Sequence, residues 1–370
     1  MDLTKAKTIA ADYKVKFAGS AANDIYKQCQ DEAISLSDLF ERLDPTPRDD
    51  QGKALEPFDA FERMLIAHDL QLSGPNQLSF GQLMASAEYL TPELIRREIE
   101  AGMNVADKFN YKDCIAATVP SKGTYHPLYI PELDNATVRE RRRHSLGQTA
   151  AVGSGGNYPV ISVVRREKDI LLAQEGRDIE MAYQVIRDYG WSDVAVLFRL
   201  IGAQISSDKL FAVYQACIVG DGTVGAATNT FNGVAGTLTY LDLVHNNASF
   251  NAPFSADRIL APLTSFERIV AMAQFQDPEA FGTKVFQMTG QPVTPFGARL
   301  KQVGATPGGT PVQTVIATID SRFAIKEVQG HALSIESEKI ISRSFEHAVV
   351  SEETAFAIIA DGALRRIIWT

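Results

Sequence analysis

The stretch Ile170–Gly222, ILLAQEGRDIEMAYQVIRDYGWSDVAVLFRLIGAQISSDKLFAVYQACIVGDG, constrains the fold more than any other part of this chain. It reads as a strand, a short helix and then one long helix that stops at glycine. Ser192 or Asp193 stands where an N-cap belongs, because either side chain can accept from the unpaired amides of a first turn. Val194, Leu197, Phe198, Ile201, Ile205, Ala212, Ala216 and Val219 then share one stripe at helical spacing, interrupted near Asp208 and Lys209. Gly220-Asp221-Gly222 ends it. About 27 residues at ~1.5 Å each give a rod of ~40 Å. Arg199, Asp208 and Lys209 inside the rod argue against a membrane span. Taken alone, such a rod is the core helix of an α/β enzyme; its surroundings point to a spine of another kind.

The chain has 370 residues, 45% hydrophobic and 22% charged, enough for two or three packed lobes. A net charge of −9 argues against a general polyanion binder, which gains affinity by neutralising phosphates with Lys and Arg. Cys29, Cys114 and Cys217 show no metal-ligand spacing and suggest idle or buried thiols in a reducing compartment. The N-terminus lacks the apolar core of a signal peptide.

Residues 1–56 are charged and intermittently helical, with a polar break at DPTPRDDQGK, and composition marks them as a flexible appended segment. A helix is expected over Phe58–Leu70, with Phe58, Phe61, Met64 and Leu65 on one face. A second has Thr91 as N-cap, Pro92 in the first turn and Leu94, Ile95 and Ile99 on its apolar side. Ile115–Pro131 is β-rich. Beyond the spine, Thr223–Gly236 reads as loop and Leu238–Val244 as a short structured piece. Arg258–Pro262 reads as a buried strand, and Thr264 as the start of a helix with a capping-box partner at Glu267. Gly282–Pro311 is rich in Gly and Pro, and the last 60 residues read as strands of a closing sheet.

Residues 136–164, ATVRERRRHSLGQTAAVGSGGNYPVISVV, form a two-stranded excursion with a small-residue tip. Arms of ~14 residues at ~3.3 Å reach ~45 Å, and an isolated hairpin of this kind is marginal in water. A neighbouring subunit is the simplest support. The basic cluster Arg139, Arg141, Arg142, Arg143 and His144 has three readings. Intersubunit pairing ranks first, a solvated charged face second and nucleic-acid binding last, since no aromatics interleave for base stacking.

The residues of a catalytic site are not evident. His68, His126, His144, His245, His331 and His347 are scattered, with no close zinc-type partner, and there is no G-x-S-x-G elbow. Glu175, Asp178, Glu180 and Asp188 cluster near the spine's start, where a solvated helix face explains them as well as paired catalytic carboxylates would. GDGTVG lacks the Gly-Lys-Ser/Thr of a phosphate loop, and its glycines end a helix instead of starting one. No enzyme activity, cofactor or metal is expected.

Taken in order, these pieces resemble the major capsid protein of tailed double-stranded DNA bacteriophages (Caudoviricetes), the Hong Kong 97-type fold. The resemblance is carried by PFDAFERMLIAH and LTPELIRREIEAGM, the excursion 136–164, and the EGRDIEMAYQVIRD–spine–GDG unit. RILAPLTSFERIVAM and AIKEV…IISRSFEHAVVSEETAFAIIADGALRRI complete it, over roughly residues 57–370. It implies an α+β chain with an N-terminal arm (57–123), an extended β-hairpin loop (124–168), a peripheral domain (169–221 and 312–370, spine helix 192–219) and a mainly axial domain (222–311). Residues 1–56 stay of uncertain role, with a retained arm or tail along the inner surface preferred.

By resemblance, the chain self-assembles in the host cytoplasm through hexamers and pentamers into an icosahedral virion shell. That shell encloses double-stranded DNA without sequence-specific binding, with a portal protein and possible scaffold and cement proteins as partners and no membrane. Arg139, Arg141, Arg142, Arg143 and His144 are expected as intersubunit contacts, and Gly153, Gly155 and Gly156 as the hinge of the loop tip. Some relatives cross-link a loop lysine to a neighbour's asparagine; this chain has no lysine between Lys122 and Lys168, so a non-covalent shell is expected. The alternative within the same fold is an encapsulin-like nanocompartment, whose subunits are usually shorter. A soluble enzyme ranks below both.

Overall fold

The computed structural model describes residues 4–16, 22–32, 34–49, 51, 53–72, 74, 77–86, 89–105, 110–129, 163–251, 253–276, 292–340 and 345–370. The chain divides into two compact units. The first comprises Met1–Val105, Gln174–Ala203 and His331–Glu353, and the second Ala106–Ala173, Gln204–Gly330 and Thr354–Thr370.

Among the described residues the first unit opens with six helices: α1 (Thr4–Lys16), α2 (Ala22–Asp31), α3 (Leu36–Leu43), α4 (Ala60–Ala67), α5 (Phe80–Ser86) and α6 (Thr91–Val105). The expectation of flexibility before residue 57 is corrected for the described residues there. Ala6, Ala10, Ile25, Cys29, Leu36 and Phe40 are buried, and Phe40 lies 5.8 Å from the Tyr13 ring and stacks on Phe61 at 6.3 Å. Composition misleads because several charges are used internally. Arg63, 2% exposed, pairs with Asp44 at 3.0 Å and donates to the carbonyls of Asp44 and Phe58 at 2.5 and 3.1 Å. Buried Glu93 accepts from Arg96 at 2.7 and 2.8 Å and from the Ser37 amide at 3.2 Å. A charge paired in this way no longer demands water.

α4 starts later than expected. Asp59 caps it, with Glu62 completing a capping box, which leaves Phe58 outside the helix and partly exposed while Phe61, Met64 and Leu65 are buried. α6 buries Leu94, Ile95 and Ile99 as expected.

The spine unit follows its predicted order: β6 (Ala173–Ala182), α7 (Tyr183–Asp188) and α8 (Trp191–Val219). Neither proposed cap is one. The carbonyl of Gly190 already accepts from the Asp193 amide at 3.2 Å, so Ser192 and Asp193 lie inside the first turn. Gly220 and Gly222, at φ 102° and 84°, end the helix as expected.

The burial of α8 is not a single stripe. Over its first half Trp191, Val194, Ala195 and Phe198 are buried, and Phe80 stacks on Trp191 at 5.6 Å, while Leu197 faces solvent. Val219 is exposed as well. From Lys209 to Ile218 nearly every residue is buried, so the helix there is enclosed all round. Lys209 is tolerated because its Nζ lies 3.0 Å from Glu327 Oε1 and 5.1 Å above the Tyr111 ring. In the first unit, α6 and α8 meet backbone to backbone. A Cβ on Gly102 would come within 2.1 Å of the Arg199 carbonyl oxygen, and one on Gly202 within 2.0 Å of that of Ile99.

The second unit is built on a five-stranded sheet, ordered β7 (Thr228–Asn229), β13 (Leu364–Ile368), β10 (Val315–Ile319), β8 (Arg258–Pro262), β9 (Arg299–Val303). β10 runs antiparallel to β13 (Val315↔Ile368) and to β8 (Ala317↔Leu260), and β8 runs parallel to β9 (Ile259↔Leu300). Its core holds Leu243, Ile259, Ala261, Ile269, Ile316, Ile367 and Trp369. Leu238–Val244 proves to lead into a helix, α9 (Tyr240–Ala248), capped by Thr239. The next helix, α10 (Leu263–Val270), begins without the expected capping box. The Thr264 amide donates to Gln313 Oε1 at 3.2 Å, and Ser265 is held between the Gln313 carbonyl (2.6 Å) and the Trp369 indole (2.9 Å).

The closing strands belong to two sheets instead of one. β11 (Ile325–Ile340) and β12 (Phe345–Ile358) lie in a four-stranded sheet ordered β1 (Ala117–Pro120), β11, β12, β6, with β1 parallel to β11 (Ala117↔Lys326). Helices together with sheets of mixed parallel and antiparallel pairing make the chain α+β, as expected.

Candidate assembly surface

The excursion expected over residues 136–164 lies outside the described residues apart from Val163 and Val164; the ribbon root formed by the short strands that flank residues 130–162 lies in the second unit. β2 (Thr124–Tyr125) pairs antiparallel with β5 (Ile170–Leu171), and β3 (Leu128–Tyr129) with β4 (Val164–Arg165). From Tyr125↔Ile170 to Leu128↔Arg165 the outgoing arm advances three residues and the return arm five. The two extra residues form a bulge, which re-aims a ribbon. Bonds from the Arg166 amide to the Pro127 carbonyl (2.8 Å) and from the Leu172 amide to the Gly123 carbonyl (3.2 Å) continue the pairing.

Charged groups brace the bulge. Arg165 Nη2 lies 2.6 Å from His126 Nδ1 and 3.4 Å from Asp169 Oδ1, and His126 also contacts Asp169. The hydrogen bond with His126, ahead of the Arg165 charge, holds the Asp169 carboxyl below the usual carboxylate range. Arg166 lies 4.7 Å above the Tyr129 ring, and Lys326 lies 4.6 Å above that of Tyr125.

Four large aliphatic side chains at this root are exposed: Leu128 (53%), Val163, Val164 and Leu171 (76%). Leu128 stands opposite Arg165 and Tyr129 opposite Val164, and successive pairs point to opposite faces of a ribbon. Both faces therefore carry uncovered apolar surface. Arg139, Arg141, Arg142, Arg143, His144, Gly153, Gly155 and Gly156, the residues singled out for contact and hinge roles, lie outside the described residues.

A second uncovered apolar set occupies the first half of α8, where Val196, Leu197 and Leu200 are all more than half exposed. Asp193 stands beside it, and Arg199 bonds Glu98 at 2.6 Å along its margin. The sequence pattern does not mark this set, because Leu197 has the spacing of the inward stripe.

The residues weighed for catalysis are dispersed. Glu175, Asp178 and Glu180 lie on strand β6 and not on a helix face, and Asp188 pairs with Arg187 at 2.9 Å. His68 bonds the Tyr89 hydroxyl at 2.7 Å, His245 is in the last turn of α9, His331 and His347 are on β11 and β12, and His144 lies outside the described residues. Among the described residues, no three His, Cys, Asp or Glu side chains converge as metal ligands. Burial raises the thiol of Cys29 to about 11 and those of Cys114 and Cys217 further, which removes their nucleophilic form.

GDGTVG is a closed turn. Asp221 accepts from the amides of Thr223 and Val224 at 2.8 and 2.7 Å and, through its other oxygen, from the Ile358 amide at 2.7 Å. In the sequence Asp221 reads only as part of a helix stop.

No family model and no curated protein matches this chain. Among solved structures the chain is similar to a virus-like particle from Pyrococcus furiosus, at 9% identity over 75% of this chain and 99% of that one, with a TM-score of 0.48. It is similar to the capsid of an empty GTA particle at 12% identity over 69% and 88%, TM-score 0.45. A structure from Mycobacterium phage Che8 gives 10% identity over 67% and 85%, TM-score 0.45.

Proposed function

We propose that this chain is a shell-forming structural subunit, the major capsid protein of a tailed double-stranded DNA phage. In this reading it assembles through hexamers and pentamers into an icosahedral shell around the genome, and acts through its interfaces and not by catalysis. The observation that carries the reading is the ribbon root, with large aliphatic side chains exposed on both faces. One end of the root packs through Ile170 and Tyr125 against Val328 and Ala357, while Leu128, Val163, Val164 and Leu171 stay uncovered, more apolar surface than a two-stranded ribbon holds in water without support. A neighbouring subunit supplies that support, and repetition of one such contact around a symmetry axis closes rings and shells.

The acidic balance of the chain agrees with a container that does not adsorb its packed DNA. The helices before residue 57 act as part of the subunit body, through Phe40, Tyr13 and the Ser37–Glu93 contact.

Sedimentation velocity of the protein expressed alone tests the reading. A population of very large closed particles or of hexameric and pentameric rings is expected. A single small oligomer at every concentration, unchanged by co-expression with neighbouring genes, would overturn it. Particles that enclose an enzyme in place of DNA would move the same fold to the nanocompartment role.

A further inference from the structure

We infer that Asn232, in the loop before α9, is a covalent modification site, where the folded protein converts asparagine through a cyclic imide to aspartate and isoaspartate. The reaction needs no particular oligomeric state, so it stands apart from the shell-forming reading. Asn232-Gly233 is the one Asn-Gly step in the chain, and both residues are exposed, outside helix and strand. Glycine after asparagine matters because it has no side chain to shield its own amide nitrogen and reaches backbone conformations closed to other residues.

Packing explains why glycine stands there. A Cβ on Gly233 would come within 2.8 Å of Asp242 Oδ1 and 3.0 Å of Oδ2. Asp242 cannot yield readily: it is 4% exposed, and its Oδ2 accepts from the Thr239 amide at 2.9 Å and the Thr239 hydroxyl at 2.6 Å. The cap of α9 thus keeps side chains away from position 233. The reacting groups are themselves unengaged. Among the described residues, neither the Asn232 carboxamide nor the Gly233 amide makes a hydrogen bond. Neighbouring asparagines differ. Asn229 Oδ1 accepts from the amides of Phe231 (3.2 Å) and Ile368 (3.1 Å), and buried Asn246 donates to Thr230 Oγ1 at 2.7 Å from within α9. The loop is tied by the Thr230 amide to the Arg366 carbonyl (2.9 Å) and by the Gly236 amide to the Trp369 carbonyl (2.8 Å), with the Asn-Gly step between these ties.

The Gly233 nitrogen attacks Cγ of Asn232, an intramolecular step because both groups belong to adjacent residues. A C–N bond forms, the Cγ–Nδ2 bond breaks, and Nδ2 leaves as ammonia with the proton of the Gly233 amide. Water then opens the imide at either carbonyl, giving aspartate or, with the backbone rerouted through the side chain, isoaspartate. The nucleophile is the deprotonated amide, so the rate rises with pH. Each event adds one negative charge beside α9.

The test holds the full-length protein in mildly alkaline buffer for weeks, folded and, in parallel, unfolded in urea, and digests samples for mass spectrometry. The peptide carrying Asn232 should gain about 1 Da in the folded protein, with isoaspartate found at 232 by electron-transfer fragmentation. Asn229 and Asn246 should stay unchanged there. The folded rate should lie within about tenfold of the unfolded one, so the fold adds less than about 1.4 kcal/mol to the barrier. Asn232→Ser should keep the parent's melting curve and abolish the gain. An Asn232 that stays intact in the folded protein while the unfolded chain reacts, or a gain without isoaspartate, would overturn the site. Either result is read whether or not particles form, so it leaves the shell reading to its own test.

Discussion

At the scale of single residues, the fold depends on side chains whose partners lie far along the chain. Asp320 is fully buried and accepts from the Ser255 amide and from the Arg322 guanidinium, each at 2.9 Å. Burial pushes its carboxyl up, but these hydrogen bonds, Arg322 foremost, outweigh that and leave it lowered. Because its folded value lies below the unfolded one of about 3.9, its stabilising effect is present above that pH and is lost as pH falls through the folded value. Asp320→Asn is expected to cost roughly 1–3 kcal/mol at neutral pH and to flatten the acid limb of a urea-midpoint series; an unchanged limb would contradict this. Asp69 is the one described non-glycine residue with positive φ, 55°, and it ends α4 with its amide on the Ile66 carbonyl. Asp69→Val should cost about 1–2 kcal/mol and Asp69→Gly should cost nothing or stabilise, read from denaturation midpoints. The sequence showed Lys209 only as a break in an apolar stripe. Its partner Glu327 is 118 residues away, a separation that periodicity does not register.

At the scale of elements, the long helix was legible because its length, its glycine stop and its apolar content are local properties. Which faces it buries was not, because that depends on what surrounds it: Leu197 has the spacing of a core residue and points to solvent, whereas Lys209 interrupts the pattern and is buried. The Gly102–Gly202 approach of α6 and α8 was equally hidden, since each glycine alone reads as a weak point in a helix. Gly202→Ala and Gly102→Ala should each cost at least about 1–3 kcal/mol by forcing the helices apart, and the double variant should cost less than the sum because both act on one contact. Full additivity in thermal denaturation would place the two glycines in separate roles. The N-terminal helices give a further test: deletion of residues 1–56 uncovers Phe61 and unpairs Arg63, so the truncated chain should be recovered aggregated. Soluble, monodisperse material would return that segment to the status of an appendage.

At the scale of the molecule, the α+β composition and the order of elements were readable because strands and helices carry distinct periods. The division of the closing strands between two sheets was not, since strand order depends on crossovers and not on local pattern. The excursion read over residues 136–164 lies outside the described residues apart from Val163 and Val164, and the exposure of Leu128, Val163, Val164 and Leu171 beside it depends on what surrounds them and not on local pattern. Replacing Arg141, Arg142 and Arg143 by Glu should leave the subunit folded and weaken assembly; normal particles would remove the cluster from the mechanism. With no lysine between Lys122 and Lys168, boiled particles should run in SDS as the 40.4 kDa chain, and a covalent ladder would contradict that. The central claim is most directly tested by negative-stain electron microscopy of the purified full-length protein, alone and co-expressed with its neighbouring genes. Closed shells, tubes or rings of six and five subunits are the expected result, and uniform dimers or tetramers in both preparations would contradict it.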